Sequence, residues 1–229
     1  MATYDLEEQE QLAELKAWWK QYGNLVVNVL TAAAVVVISW QGWNWYQRNQ
    51  SAQASMVYAV LQKAVYENDA QRITAASGEL LEKFGGSDYA ALGALTAAKA
   101  MIEAGDAKTA KLKLIWVAEH GKNEVRELAR LRLAALLLDE KAYDEALKRL
   151  DGDVSPAFAA RFAESRGDVL FAQGKKEEAA SAYQAALSEL EKADKAEVEG
   201  AGVRGSSSQS NVIYRDLLQQ KIDSLGGSK

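Results

Sequence analysis

The sequence predicts an all-α protein: one N-terminal membrane-spanning helix followed by a solenoid of helical hairpins. Three observations carry this. No charged residue stands between Lys20 and Arg48, and aromatic residues crowd both ends of that stretch. The chain has a single proline and is rich in Ala, Leu, Glu and Lys, the residues that cost a helix least. Small residues also recur in register over the second half of the chain.

Residues 1–20 form an acidic tail, with Asp5, Glu7, Glu8, Glu10 and Glu14 against Lys16 and Lys20. The span covers 21–47. Its most apolar part, Leu25 to Ile38, is short and contains Asn28. The flanks extend it, because Trp18, Trp19 and Tyr22 at one end and Trp40, Trp43, Trp45 and Tyr46 at the other form two aromatic belts. A helix from Trp19 to Trp40 rises roughly 31 Å, against a hydrocarbon thickness of ~30 Å. A cleaved signal peptide fits poorly: the leading segment is acidic, and the small-x-small site Ala52-Gln53-Ala54 lies far beyond Ile38. Lys16 and Lys20 on one side balance Arg48 and Lys63 on the other, so charge leaves the orientation open. Asn24, Asn28, Thr31, Val35 and Ser39 fall on one helical stripe, a face suited to pairing with another helix in lipid.

Residues 48–192 read as an array of helical hairpins. Its breaks are Ala-Gly-Asp (104–106), Glu-Lys-Ala (140–142) and Gln-Gly-Lys (173–175). Five residues after Gly105, Lys141 and Gly174 stand Ala110, Ala146 and Ala179, and four further on Leu114, Leu150 and Tyr183. Ala98, Ala134 and Gly167 precede those alanines by twelve residues, and Met101, Leu137 and Leu170 by nine. Paired small residues let two helices approach closely, and the larger ones fill the space between. The offsets of 36 and 33 residues resemble the tetratricopeptide repeat, a helix-turn-helix unit of about 34 residues. The consensus Trp and Pro are missing, and the second unit is cut short at Asp151-Gly152-Asp153. A weaker unit precedes these, Gln53 to Glu67 and Ala70 to Phe84 with Ala64 facing Ala76, and its first helix is expected to run on from the span.

Ser155 before Pro156, Ser87, Asp106 and Ser210 are expected N-caps. Gly85-Gly86, Gly121 and Gly226-Gly227 are expected stops. Residues 193–210 are rich in Gly, Ser and Glu and read as a flexible link. Residues 211–229 follow as a terminal helix and tail, with apolar residues at Ile213, Tyr214, Leu217, Leu218, Ile222 and Leu225. Such a helix, with a polar outer face, would cap the array.

The formal charge of −5 argues against a nucleic-acid footprint. Without cysteine and with one histidine, His120, the chain offers no metal or thiol constellation. No phosphate loop or nucleophile–base arrangement is present, so no cofactor is expected and the chain reads as a non-enzyme. Binding remains. The first helix of each unit would present Leu92, Leu95, Lys99 and Ile102, then Leu128, Leu131, Ala135 and Leu138, then Arg161, Glu164, Asp168 and Phe171 as a concave groove. The alternative for the leucines is core between neighbouring units.

The acidic start, Lys-Ala-Trp-Trp-Lys-Gln-Tyr-Gly-Asn (16–24), Trp-Asn-Trp-Tyr-Gln (43–47), the Ala-Gly-Asp and Gln-Gly-Lys turns and Gln-Lys-Ile-Asp-Ser-Leu (220–225) together resemble the YfgM family, described as ancillary subunits of the SecYEG translocon. The longer Gly200–Ser210 segment departs from it. The resemblance implies an inner-membrane protein with a cytoplasmic N-terminus and a periplasmic repeat domain. It also implies SecYEG and the chaperone PpiD as partners, and a role in handing on nascent secreted polypeptides. The same layout would serve a scaffold for cell-envelope or pilus assembly.

Overall fold

A computed structural model describes the backbone of residues 3–201 and 207–226, with the side chains of 12, 13, 15–195 and 211–226. In order the helices are α1 (Thr3–Tyr66), α2 (Ala70–Phe84), α3 (Asp88–Glu103), α4 (Ala107–His120), α5 (Asn123–Asp139), α6 (Tyr143–Leu150), α7 (Pro156–Ala172), α8 (Lys176–Ala201) and α9 (Ser207–Gly226). No strand occurs among the described residues. The chain divides into two compact units, Met1–Gln53 and Ala54–Lys229.

The first unit is helix alone. α1 is the one described helix long and apolar enough to cross a membrane, and almost none of its apolar stretch is buried. A core helix of a soluble protein would bury that surface. Trp18 packs on Trp19 and Tyr22 (centroids 6.4 and 5.8 Å), and Trp43 on Tyr46 (6.3 Å), which groups the aromatics at each end of the span. Asn24, Asn28, Thr31, Val35 and Ser39 are all exposed on it. The Thr31 hydroxyl donates to its own helix, at the Val27 carbonyl (2.8 Å). Position 48 marks no helix boundary; α1 continues to Tyr66.

In the second unit the helices after α1 alternate as hairpins, and four turns share one geometry. Asn68, Gly105, Lys141 and Gly174 all have positive φ (54°, 82°, 60° and 81°). At each, the following amide donates back to the carbonyl five residues earlier: Asp69 to Ala64, Asp106 to Met101, Ala142 to Leu137 and Lys175 to Leu170 (2.8–3.0 Å). This is the six-to-one bond of a Schellman motif. Asp69 and Asp106 then cap the next helix from Oδ1, on Arg72 N and Thr109 N (both 3.0 Å), and Ser87 does so from Oγ on Ala90 N (3.3 Å).

The paired small residues are where the register places them. Ala64 and Ala76, Ala98 and Ala110, Ala134 and Ala146, and Gly167 and Ala179 are buried. Gly167 is obligatory there, since a Cβ would run into the Tyr183 ring. The ring stands where the earlier units have Leu114 and Leu150. One core runs from Ala54, Leu61 and Ala64 of α1 to Phe162 and Val169 of α7. A second joins Leu170 of α7, Ala179, Ala182, Tyr183 and Ala186 of α8, and Leu218 of α9.

Three local expectations are corrected. Ser155 holds the N-cap position of α7 with Pro156 after it, as expected, but its side chain makes no capping bond: its hydroxyl and amide both donate to the Glu127 carboxylate (2.6 and 2.7 Å). Ser210 lies inside α9, which begins at Ser207, so it starts no helix. The reading of 193–210 as a flexible link fails at both ends, because α8 runs on to Ala201 and α9 starts at Ser207. Residues 202–206 and 227–229 lie outside the described residues, with the expected stop at Gly227.

The shortened second unit has a compensating clamp. α6 has only 8 residues. Behind it, the Arg130 guanidinium donates to the carbonyls of Arg149 (2.9 Å), Asp153 (3.2 Å) and Asp151, and lies over the Phe162 ring (4.8 Å). Glu127, buried one turn earlier on α5, anchors Ser155. Two charged residues of one helix thus hold the 151–155 loop that replaces the missing turns.

Candidate partner-binding surface

The first helices of successive units, α3, α5 and α7, line one face of the array together with the last turns of α1. Three adjoining depressions open on it. One, of about 430 Å³, lies between Tyr58 and Val65 of α1, Leu92, Leu95 and Lys99 of α3, and Leu128 of α5. A second, also about 430 Å³, lies between Leu128, Leu131 and Arg132 of α5 and Phe158, Arg161 and Glu164 of α7. The third, about 380 Å³, joins Lys99 and Ile102 to Arg132, Ala135 and Asp139.

The residues expected to form a groove divide into four groups. Leu92 (40% exposed), Lys99, Ile102 (43% exposed), Leu128, Leu131, Ala135 and Arg161 line the open depressions. Leu95 borders the first, yet is only 5% exposed and belongs to the core, as the alternative reading of the leucines had it. Leu138 is half-buried and packs on that core. Phe171 is exposed but borders none of the three.

Glu164 and Asp168 are occupied from within the chain. Lys221 of α9 donates to both carboxylates (2.8 and 2.7 Å). The Tyr214 hydroxyl donates to Glu164 (2.7 Å) and the Tyr183 hydroxyl to Asp168 (2.8 Å). Arg161 lies over the Tyr214 ring (5.6 Å). Burial, and then the carboxylates they bond, push both phenols far above their ordinary range. Burial works against the Lys221 ammonium, but Asp168 and Glu164 outweigh it and raise its pKa. The last helix therefore seals the α7 end of the face by its inner edge and leaves the α3–α5–α7 part open. Its outer face is only partly polar, since Ile213 (66% exposed), Val212 and Leu217 meet solvent.

Arg132, Phe158, Tyr58 and Val65 border the depressions and were missed in the sequence. Arg132 was legible: it follows Leu128 by four residues, on the face of α5 that the helical period assigns to the groove. Phe158 was legible too, three residues before Arg161 on the same face of α7; the α1 residues were not, because the phase of that helix is set only on packing. His120 ends α4, stacked on Trp116 (4.8 Å) with Nδ1 on the Trp116 carbonyl (3.0 Å), a local end-of-helix role. No cluster of metal-ligating side chains occurs among the described residues.

A family model for a tetratricopeptide repeat-like domain matches residues 16–227. A protein of Neisseria gonorrhoeae named as an ancillary SecYEG translocon subunit is 31% identical over 96% of this chain and 98% of its own. Proteins of the same name from Haemophilus influenzae and Escherichia coli are 29% and 28% identical, over 80% and 79% of this chain and 90% and 87% of theirs.

Proposed function

The chain belongs to the tetratricopeptide repeat-like family, among the ancillary SecYEG translocon subunits, and on that premise we propose that it is a non-enzymatic, membrane-tethered adaptor of the Sec translocon. One observation carries this most directly: the match to the Neisseria gonorrhoeae relative extends over nearly all of both chains, span and repeats together. An exposed apolar helix suits an inner-membrane anchor. The repeat unit offers an open face lined by leucines and arginines, chemistry fit for holding a polypeptide.

In the finer reading, the N-terminal tail is cytoplasmic and the repeat unit periplasmic. The stripe Asn24, Asn28, Thr31, Val35 and Ser39 meets a helix of the channel. The open face takes the chaperone PpiD, or a segment of a secreted chain on its way to it. Purification of the tagged full chain in mild detergent tests the adaptor role: SecYEG is expected to co-purify, and its absence overturns the proposal. Recovery of SecYEG without PpiD retains the adaptor and rejects the chaperone. Protease added to intact spheroplasts is expected to remove the repeat unit and spare the tail. Protection of the repeat unit reverses the orientation.

A further inference from the structure

Resting on the reading of the open face as the docking surface, we propose that its middle receives an apolar polypeptide segment with an internal acidic side chain, whose carboxylate pairs with Arg132. Arg132 is the one residue common to all three depressions. It is half-buried, yet among the described residues its guanidinium has neither an ion pair nor a hydrogen bond. Arg130, Arg166 and Arg215, also half-buried, each have acceptors within the chain.

The carboxylates lining the depressions, Glu103, Asp139 and Glu164, equal the cations Lys99, Arg132 and Arg161 in number, but among the described residues none is bonded to Arg132. Glu164, the carboxylate on the rim of the α5–α7 depression, is already taken by Lys221 and Tyr214. Glu103 sits 3.8 Å from Lys99. Asp139 lies beyond Ala135, in the depression on the α3 side. What remains over the floor of Leu128, Leu131 and Phe158 is Arg132 and Arg161. A guanidinium beside apolar surface binds a carboxylate by charge-assisted hydrogen bonds that water screens poorly, while the leucines take up neighbouring apolar side chains. The depressions continue on both sides of Arg132, toward α3 and toward α7, so the bound chain crosses the site instead of ending in it. An acidic side chain within a segment is therefore the ligand, and a chain terminus is not.

The test uses the full chain in detergent and three labelled 16-residue Ala/Leu peptides with serine ends. One has a central Glu and blocked termini, one a central Gln and blocked termini, and one a central Gln and a free C-terminal carboxylate. Fluorescence anisotropy is expected to show the Glu peptide binding about tenfold tighter than either Gln peptide. Arg132→Gln abolishes the preference at unchanged helical circular dichroism, and Arg132→Lys keeps part of it. Equal affinities, no binding of any peptide, or a preference that survives Arg132→Gln overturns the proposal. Tight binding of the free-terminus peptide replaces it with terminus capture. SecYEG co-purification from the same preparation separates the levels: recovery of SecYEG with a failed peptide test rejects the acidic segment and retains the adaptor.

Discussion

Lys141 occupies a backbone position that the other units give to glycine or asparagine. Gly105, Gly174 and Asn68 tolerate a left-handed φ, whereas a lysine Cβ crowds the carbonyl there. Lys141→Gly is expected to stabilise the repeat unit by about 0.5–1 kcal/mol, read as a higher Tm, with relief of strain outweighing the extra freedom of the unfolded chain. Gly167 shows the opposite constraint. Gly167→Ala should cost about 1–3 kcal/mol by overpacking against Tyr183. Tyr183→Leu, which restores the pairing of the earlier units, should recover part of that in a double-mutant cycle. Glu127→Ala is expected to destabilise by about 2–3 kcal/mol, because it removes a charged acceptor of two part-buried bonds from Ser155. Denaturant titration checks each. The positions of Lys141, Gly167 and Tyr183 were legible in the register of 36 and 33. The carboxylate that diverts Ser155 from capping was not, since it lies 28 residues away.

At the scale of the element, α9 is held by titratable groups, which makes its docking pH-dependent. Lys221, Tyr183 and Tyr214 all have folded pKa values above their ordinary ones. The folded state then holds more protons than the unfolded state at high pH, so stability falls as pH rises. The contribution is fully present below about pH 10 and is lost above it, as the unfolded-state groups begin to titrate. Limited proteolysis is expected to release α9 above that pH before the rest of the unit. In a phenolate titration, two tyrosines should ionise later than the remainder. A chain whose α9 stays protected throughout would contradict the polar latch. That the terminal helix exists was readable from the spacing of Tyr214, Leu218, Ile222 and Leu225. Its partners were not, because the Lys221 bonds to Glu164 and Asp168 join residues 57 and 53 positions apart.

For the whole molecule, the occupied and open parts of the face lined by α3, α5 and α7 decide which substitutions report on binding. Leu95→Glu would place a charge in the core and report unfolding. Leu131→Glu, on a half-buried residue of the open depression, should reduce capture of PpiD or a secreted segment at least about tenfold with helical content retained. Pull-down and circular dichroism measured together check this, and undiminished capture would remove the face as the docking site. Substitution of Phe171, outside the depressions, is expected to leave capture unchanged.

By itself the sequence determined the apolar helix, the helical content, the phase of the repeats and the places where they turn. Those follow from charge exclusion, propensity and periodicity, which act between residues a few positions apart. The tertiary structure decided what the period cannot: that α9 engages Glu164 and Asp168, that Leu95 is core while Leu92 is not, and that Arg132 has no counter-ion among the described residues. Each depends on which helices meet after packing, where burial and charge pairing are set by neighbours distant in the chain.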